Sequence, residues 1–383
     1  MRILPVASGK GGVGKSLVAA NLAIALAQSG KRVVLADLDL GGSNLHLTLG
    51  MRGVRTGIGT FLTNSQVKFE DIIVPTDYEN LRFIPGDAEI PGMANLKSGQ
   101  KTKLIKRLYT VDADYLVADL GAGTNFNTLD FFLTSSFGII VTAPLLPATL
   151  NAYLFVKNAV FRLMNSSFKK GSVAHEYLES LRKEGTQLQR VYIPKLIEYV
   201  RTEDPESYEK LRTRMAGFHP MLVLNLLEDP KDAQKAEKIR RSCSEYLGVD
   251  MEHLGVIYYD HVQEIALGSR LPIVYYKPDS VLSQAIYRIA DKLIQREQEE
   301  EGGSLLDIDN LDQSYQVAEM EAEIDFDTKA RDMEDLLHSG ALTRGDLIDT
   351  IKAQQYEINS LKKENNLLKH RLRKAINEGF TVH

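Results

Sequence analysis

The feature that most constrains this chain is a glycine-rich stretch at residues 9–16, Gly-Lys-Gly-Gly-Val-Gly-Lys-Ser. It fits the pattern G-x-x-x-x-G-K-[ST] in full, and it lies between a predicted strand and a predicted helix, as a phosphate-binding loop requires. Glycines let successive backbone N–H groups point at phosphate oxygens, and the start of the helix adds a positive dipole end. The stretch therefore predicts a nucleotide site, and its expected contact residues are Gly9, Lys10, Gly11, Gly12, Val13, Gly14, Lys15, Ser16 and Leu17.

Two side chains of this loop and three carboxylates predict the chemistry of the site. The Lys15 amine is expected to neutralise the β- and γ-phosphates, and the Ser16 hydroxyl to ligate Mg²⁺. Asp37 and Asp39 follow one predicted strand and Asp119 follows another, and ligands bind where parallel strands end. The sequence therefore predicts Mg²⁺ bound by Ser16, Asp39 and Asp119. Taken alone, each aspartate would equally suit a cap on the turn that follows its strand.

Residues 1–296 alternate short runs rich in β-branched residues with helical patterns, which is typical of a parallel sheet wrapped by helices. We therefore predict an α/β fold, a doubly wound and mostly parallel sheet of the P-loop NTPase type. The predicted strands are 3–7, 33–36, 81–84, 115–118, 138–142, 222–225, 255–258 and 273–275, and the main helices are 15–28, 149–164, 231–247 and 280–295. Segment 165–219 is charged and rich in tyrosine, and it predicts a helical insertion too polar to be a core element. It would serve as surface decoration or as a platform for a partner.

Two further segments follow the P-loop domain. Residues 297–335 are acidic with little apolar periodicity, which predicts a solvated linker. Residues 336–383 predict a C-terminal helix whose heptad positions a and d hold Ile351, Gln354, Ile358, Leu361, Asn365, Leu368, Leu372 and Ala375. This pattern predicts a coiled coil, and the polar residue at one a position favours a parallel pair. The alternatives are a single amphipathic helix packed on the main domain, or contact with anionic lipid or DNA through Lys369, Arg371, Arg373 and Lys374.

Composition limits the classes of protein that fit. The net charge of −5 over 383 residues argues against attraction of the whole molecule to nucleic acid. The single cysteine, Cys243, excludes an intramolecular disulfide and a cysteine-ligated cluster within one chain. The N-terminal stretch predicts a buried strand rather than an export signal, and the most apolar stretch, 137–152, is too short to span a bilayer. We therefore expect a cytoplasmic protein.

A second lysine, Lys10, stands near the start of the loop, and the stretch KGGVGKS resembles the deviant Walker A motif of the MinD/ParA superfamily. The resemblance covers nearly all of residues 1–296, is strongest to the MinD/FlhG branch, and includes LADLDLGGSNLHLTLG, DYLVADLGAG, LVLNLL and PIVYYKPDSVLSQAIYRIADKL. It implies a slow, effector-stimulated ATPase with ATP and Mg²⁺ as cofactors. It also implies an ATP-dependent homodimer in which Lys10 reaches the phosphates of the partner subunit.

The resemblance assigns roles to individual residues as well. The implied catalytic residues are Lys10, Lys15 and Asp39, and Asp39 is implied to orient the attacking water. Asp37 is implied to support Mg²⁺ and the geometry of the turn after its strand. Asn225 is implied to contact adenine, and Tyr259 to line the other side of the base pocket.

Together these features predict an ATP-dependent switch that sets the position or number of a cellular structure, such as flagella or the division or polar machinery. We expect an activating effector protein as a partner, and peripheral contact with membrane or DNA through the C-terminal region. The main alternative is a ParA-type partition ATPase that binds DNA non-specifically through a basic face of the dimer. A biosynthetic enzyme and a nucleotide-binding interaction protein with negligible turnover are two further alternatives.

Overall fold

The structure is a computed structural model that describes residues 1–51, 56–86, 95–183, 192–301, 308–339 and 344–377. The chain divides into two compact units, Met1–Asp325 and Phe326–His383. Among the helices of the described ranges, none is long and apolar enough to cross a membrane.

The first unit is built on an eight-stranded sheet within the described ranges. Its strands are β1 (Arg2–Ala7), β2 (Val33–Leu38), β3 (Val74–Pro75), β4 (Leu81–Ile84), β5 (Tyr115–Leu120), β6 (Ile139–Thr142), β7 (Met221–Leu227) and β8 (Glu252–Tyr258). The strand order is β3-β4-β2-β5-β1-β6-β7-β8, and each neighbouring pair is parallel except β3 with β4. This arrangement confirms the predicted fold class.

Helices cover both faces of the sheet. They are α1 (Lys15–Gln28), α2 (Leu45–Thr48), α3 (Ile58–Thr63), α4 (Ser98–Leu108), α5 (Phe126–Phe132), α6 (Leu146–Ser167), α7 (Val173–Lys183), α8 (Ile193–Glu203), α9 (Pro205–Ala216), α10 (Gln234–Leu247), α11 (Val262–Gly268), α12 (Ile273–Tyr276), α13 (Val281–Glu301) and α14 (Ile308–His338). Short 3₁₀ turns occupy Glu70–Ile72 and Pro230–Ala233. Alternate residues of β1 enter two different hydrophobic clusters, Ile3 with α6 on one face and Leu4 with α1 and α13 on the other. The sheet is therefore doubly wound.

One predicted strand is wrong. Residues 273–275 lie in α12, a helical turn that begins after Pro272. The backbone N–H of Tyr276 donates to the Pro272 carbonyl at 2.9 Å, and that of Lys277 donates to the Ile273 carbonyl at 2.8 Å. A short apolar run does not distinguish a buried strand from a buried helical turn by its periodicity, which explains the error.

The predicted insertion is helical but is not confined to the surface. Within 165–219 the structure places α7, α8 and α9, whereas residues 184–191 lie outside the described ranges. Leu178, Leu196, Val200 and Leu211 are buried in the same hydrophobic cluster as α6. The expectation that this segment is too polar for the core was therefore wrong, because its apolar residues follow the helical period and gather on one face of each helix.

The predicted solvated linker at 297–335 is also largely helical and partly buried, although residues 302–307 lie outside the described ranges. The Tyr315 hydroxyl donates to the Met251 carbonyl at 3.1 Å, and the Tyr258 hydroxyl donates to the Ala322 carbonyl at 2.9 Å. Ala318 and Ala322 are fully buried. The linker prediction was therefore wrong for the part of α14 that belongs to the first unit. The average composition of the segment is acidic, and it gives no indication of the few apolar residues that lie on one face of the helix.

The second unit contains the end of α14 and the helix α15 (Arg344–Asn377). The predicted C-terminal helix is present there, whereas residues 340–343 and 378–383 lie outside the described ranges. The heptad side chains that the structure describes are exposed: Ile351, Ile358, Leu361, Asn365, Leu368 and Leu372. Their pairing in a coiled coil stays a prediction.

Candidate functional site

The glycine-rich stretch forms a loop between β1 and α1, as the motif predicts. Gly14 precedes the helix with a φ of 81°, and a Cβ at this position would overlap the Asn225 amide nitrogen. Gly9 packs against the backbone of α6, where a Cβ would overlap the carbonyl oxygen of Asn151. The backbone of the loop is therefore enclosed by β7 on one side and α6 on the other, and only glycine fits at these two points.

Lys15 and Asp119 form the buried centre of the site. The Lys15 amine makes an ion pair with the Asp119 carboxylate, and the two side chains are 7% and 2% exposed. The amine also donates to the Ser16 hydroxyl at 3.2 Å. Burial raises the pKa of Asp119, and the positive charge of Lys15 opposes that rise. The predicted phosphate-binding lysine and two predicted metal ligands are therefore brought together.

Asp37 holds the turn that follows β2. It lies beside Asp119 in the register of β2 and β5. Its carboxylate accepts from the Ser43 hydroxyl at 2.6 Å, from the Leu45 N–H at 3.2 Å and from the Asp39 N–H at 3.1 Å. Burial, followed by the nearby charge of Asp119, raises the pKa of Asp37 to about 6. These hydrogen bonds fix the path of the chain around Asp39, and the role of Asp37 in nucleotide binding stays a prediction.

Asp39 lies between this turn and the loop after β5. A Cβ built on Gly121 would lie 3.2 Å from the Asp39 carboxylate, and one on Gly42 would lie 3.6 Å from it. The Asp39 side chain is half-buried. The backbone N–H of Gly123 donates to the Ser8 carbonyl at 2.9 Å, which joins the loop after β5 to the start of the phosphate loop. The three predicted aspartates thus lie on adjacent segments at the carboxyl edge of the sheet.

The remaining predicted site residues differ in their burial and in whether they contact the phosphate loop. The Asn225 side chain, 1% exposed, donates to the Val13 carbonyl at 2.9 Å. Tyr259 is 39% exposed at the end of β8, and its hydroxyl donates to Glu264 at 3.0 Å. Leu17 is half-buried in the first turn of α1, and Lys10 is exposed. Asn225 therefore contacts the phosphate loop directly, and Tyr259 follows the neighbouring strand.

Sequence reasoning missed two residues of the site. Ser43 anchors the Asp37 carboxylate, and the backbone of Asn151 closes against Gly9. The serine lies in the turn directly after the aspartate pair, so its hydroxyl could have been considered as a local partner. The approach of α6 to the loop joins segments far apart in sequence, and no local pattern signals it.

The donor atoms suit a hard divalent cation that keeps water and phosphate ligands. Hydroxyl and carboxylate oxygens are supplied by Ser16, Asp39 and Asp119. Among the described residues, no group of three or more His, Cys, Asp and Glu side chains is arranged to hold a metal by itself. Mg²⁺ is commonly held by one or two carboxylates together with substrate phosphates, so this donor set fits it.

The fold and this site define a P-loop NTPase. Residues 1–159 match the ParA family, described as "NUBPL iron-transfer P-loop NTPase". This part of the chain therefore resembles a ParA-family P-loop NTPase domain, and the chain is similar in sequence to MinD, FleN and YlxH proteins.

Three curated relatives show the extent of this similarity. The septum site-determining protein MinD of Helicobacter pylori is 29% identical over 178 residues, which are 46% of this chain and 65% of that protein. The antiactivator FleN of Pseudomonas aeruginosa is 30% identical over 41% of this chain and 56% of its own length. The flagellum site-determining protein YlxH of Helicobacter pylori is 30% identical over 48% of this chain and 64% of its own length. The chain thus spans between 56% and 65% of these relatives.

Two solved structures share the fold. MinD from Pyrococcus horikoshii in complex with Mg-ADP superimposes with a TM-score of 0.52 and 24% identity, over 76% of this chain and 95% of that chain. The cell division ATPase MinD from Pyrococcus furiosus superimposes with a TM-score of 0.53 and 22% identity, over 77% and 98% of the two chains.

Proposed function

We propose that this protein is an ATP-hydrolysing switch of the MinD/FlhG type. The observation that carries the proposal is the placement of two lysines on one phosphate loop. Lys15 is buried against Asp119, whereas Lys10 is exposed at the start of the loop. A buried lysine suits the phosphates held by its own chain, and an exposed one is free to approach the phosphates of another chain.

The residues of the site are assigned to steps of ATP binding and hydrolysis. The loop amides and Lys15 bind the β- and γ-phosphates, and Asn225 contacts the adenine with Tyr259 on its other side. Asp39 orients the attacking water, and Asp37 keeps Asp39 in place through the turn that it anchors. Ser16, Asp39 and Asp119 would hold Mg²⁺, which would neutralise part of the phosphate charge when bound.

We further propose that ATP brings two copies of the P-loop domain together. In this dimer, Lys10 of each copy neutralises the phosphates of the other, so loss of the γ-phosphate weakens the contact.

The names of two relatives, the septum site-determining protein MinD and the flagellum site-determining protein YlxH, suggest what the switch controls. We propose that it regulates the position or number of such a structure in the cytoplasm and that an effector protein stimulates its hydrolysis.

Phosphate release tests the enzymatic part of the proposal. Wild-type protein with ATP and Mg²⁺ should release phosphate slowly, and Asp39→Ala should abolish release while nucleotide binding persists. Asp77→Ala is the matched control, because Asp77 is exposed in the loop that leads into the amino end of β4, away from the site. Equal phosphate release by wild type and Asp39→Ala would remove the assigned role of Asp39.

Association tests the role of Lys10. It is measured by sedimentation with and without ATP, in full chains that carry Leu361→Glu and Leu368→Glu to prevent pairing through the C-terminal heptads. Lys10→Ala should then abolish ATP-dependent dimerisation and keep ATP binding, whereas Lys15→Ala should lose both. A truncation before Glu297 would be unsuitable, since residues of α14 pack on β8. An ATP-dependent dimer of Lys10→Ala would contradict the proposed contact between copies.

Two alternatives can be separated from this proposal, one by a measurement and the other by the burial of a side chain. A DNA partition ATPase would retain DNA in the presence of ATP, and this retention would fall steeply between two ionic strengths. An iron–sulfur carrier would need accessible thiolates, but Cys243 is fully buried and burial raises its pKa to about 12. A buried thiol of this kind is a poor cluster ligand, which disfavours the carrier.

A further inference from the structure

The helix α15 carries an apolar stripe that a single copy of the chain leaves in contact with solvent. Ile351, Ile358, Leu361, Leu368 and Leu372 are between 47% and 57% exposed. They occupy a and d positions of one heptad register, so all five lie on one face of the 34-residue helix. An apolar stripe of this length favours association with another surface over continued exposure to water.

The charges beside this stripe indicate what covers it. In that register, position g holds Glu364 and the following position e holds Lys369, and both side chains are exposed. Positions 357 and 362 in the sequence repeat the pair as glutamate and lysine. In a parallel, in-register pair of helices, each g residue faces the next e residue of the other helix. Two identical copies would therefore align two glutamate–lysine pairs on each side of the seam.

The antiparallel arrangement is disfavoured by the same charges. It would bring e positions of one copy beside e positions of the other, and Lys362 would then face lysine rather than glutamate. Asn365 at an a position also favours the parallel pair. In a parallel, in-register pair it lies opposite Asn365 of the other copy, so neither polar side chain is placed against an apolar one. Both features specify a second copy of this chain in parallel orientation.

We infer that α15 joins two copies of this protein as a parallel, in-register coiled coil that does not require nucleotide. This inference is independent of the proposed ATP-dependent dimer, which involves the other end of the chain. The coiled coil would also affect the ATP-dependent dimer, because it would tether the two P-loop domains to each other before ATP binds. Their association would then depend on effective concentration rather than on protein concentration.

Two neighbouring leucines give a matched test in the full chain. Leu368 at a d position is 55% exposed, and Leu367 at a c position is 52% exposed. The two side chains are therefore equally accessible, but only Leu368 lies on the apolar face of the helix. The nucleotide-free wild type and Leu367→Glu should be dimeric by light scattering and sedimentation, and Leu368→Glu should be monomeric. Circular dichroism of each variant checks that the fold is intact. A monomeric wild type, or equal effects of the two substitutions, would overturn the inference.

Charge reversal tests the register. One variant carries Glu357→Lys and Glu364→Lys, and a second carries Lys362→Glu and Lys369→Glu. Each alone should dimerise about tenfold or more weakly than wild type, and an equimolar mixture should form heterodimers with affinity restored. Failure of the mixture to recover would exclude the parallel pairing of g with e positions.

Cross-linking tests orientation. Ile351→Cys and Leu372→Cys lie about 30 Å apart along the helix. Each should form a disulfide-linked dimer with itself on mild oxidation, and the buried Cys243 should not interfere. Failure of both variants to cross-link with themselves would exclude the parallel, in-register pair. A monomeric chain that binds vesicles of anionic lipid through its basic residues would overturn the proposal in favour of a membrane contact.

Discussion

The Lys15 amine is ion-paired with the Asp119 carboxylate in the interior of the protein, where the phosphate loop meets the end of β5. The pair joins the loop to the central part of the sheet, since β5 lies between β1 and β2. Burial and the opposing charge of Lys15 act in opposite directions on the pKa of Asp119. The loss of either partner therefore leaves a buried group without its main electrostatic support.

Lys15→Ala should reduce stability as well as nucleotide binding. Without the amine, Asp119 remains buried as an unpaired carboxylate, and breaking a buried ion pair typically costs about 3–5 kcal/mol. The pKa of Asp119 should rise further, so the loss of stability should be smaller near pH 5 than near pH 8. Thermal unfolding of nucleotide-free protein measures this effect. Lys10→Ala is the control, because Lys10 is exposed and its removal should leave the unfolding midpoint unchanged.

Two glycines of the phosphate loop should respond differently to alanine. Gly9→Ala places a methyl group on the carbonyl of Asn151, so the loop and α6 must separate, and we expect a loss of about 1–3 kcal/mol. At Gly11 no heavy atom lies within 4 Å of the added Cβ, and Gly11→Ala should be nearly neutral. Urea unfolding without nucleotide compares the two variants. Equal midpoints would show that α6 does not enclose the loop at Gly9.

The loop and the positions of most strands along the chain were predictable because their signals are local, whereas β3 was missed and 273–275 is helical. The motif at 9–16 specifies a turn and the start of a helix, and β-branched runs specify buried parallel strands. Contacts between distant segments could not be predicted in this way. The hydrogen bond from Tyr315 to the Met251 carbonyl and the approach of Asn151 to Gly9 depend on the tertiary fold. The acidic composition of α14 led to the prediction of a solvated linker, because only a few apolar residues of this helix are buried.

Asp37→Asn should change the pH dependence of stability. The pKa of Asp37 is raised to about 6 in the folded protein, from an ordinary value of 3.8, so the folded state binds this proton more tightly than the unfolded chain. The resulting stabilisation is complete below about pH 4 and is lost as the pH rises through about 6. From pH 4.5 to 7.5, wild type should therefore lose up to about 3 kcal/mol relative to Asp37→Asn.

Urea unfolding of the nucleotide-free proteins across this pH range measures the difference. Asparagine retains an oxygen that can accept from the Asp39 or Leu45 N–H groups, so the turn should persist. Asp77→Asn, at an exposed position, controls for the change in net charge. A stability difference between wild type and Asp37→Asn that stays constant with pH would contradict the raised pKa of Asp37.

Tyr315→Ala tests whether the start of α14 is part of the first unit. Tyr315 is 5% exposed, its hydroxyl donates to the Met251 carbonyl, and its ring lies 5.1 Å from that of His253 and 4.9 Å from the Arg240 guanidinium. Removal of a buried aromatic side chain typically costs about 3–5 kcal/mol. Thermal unfolding of the full chain should show this loss.

Met320→Ala is the matched control on the same helix, because Met320 is 55% exposed and its truncation should change stability by less than about 0.5 kcal/mol. Tyr315→Phe should fall between the two variants, since it keeps the ring contacts and loses one hydrogen bond worth about 1 kcal/mol. If residues 308–325 were a solvated linker, all three substitutions would leave the unfolding midpoint unchanged. A graded series would instead establish that this acidic helix stabilises β8, and with it the strand that leads to Tyr259.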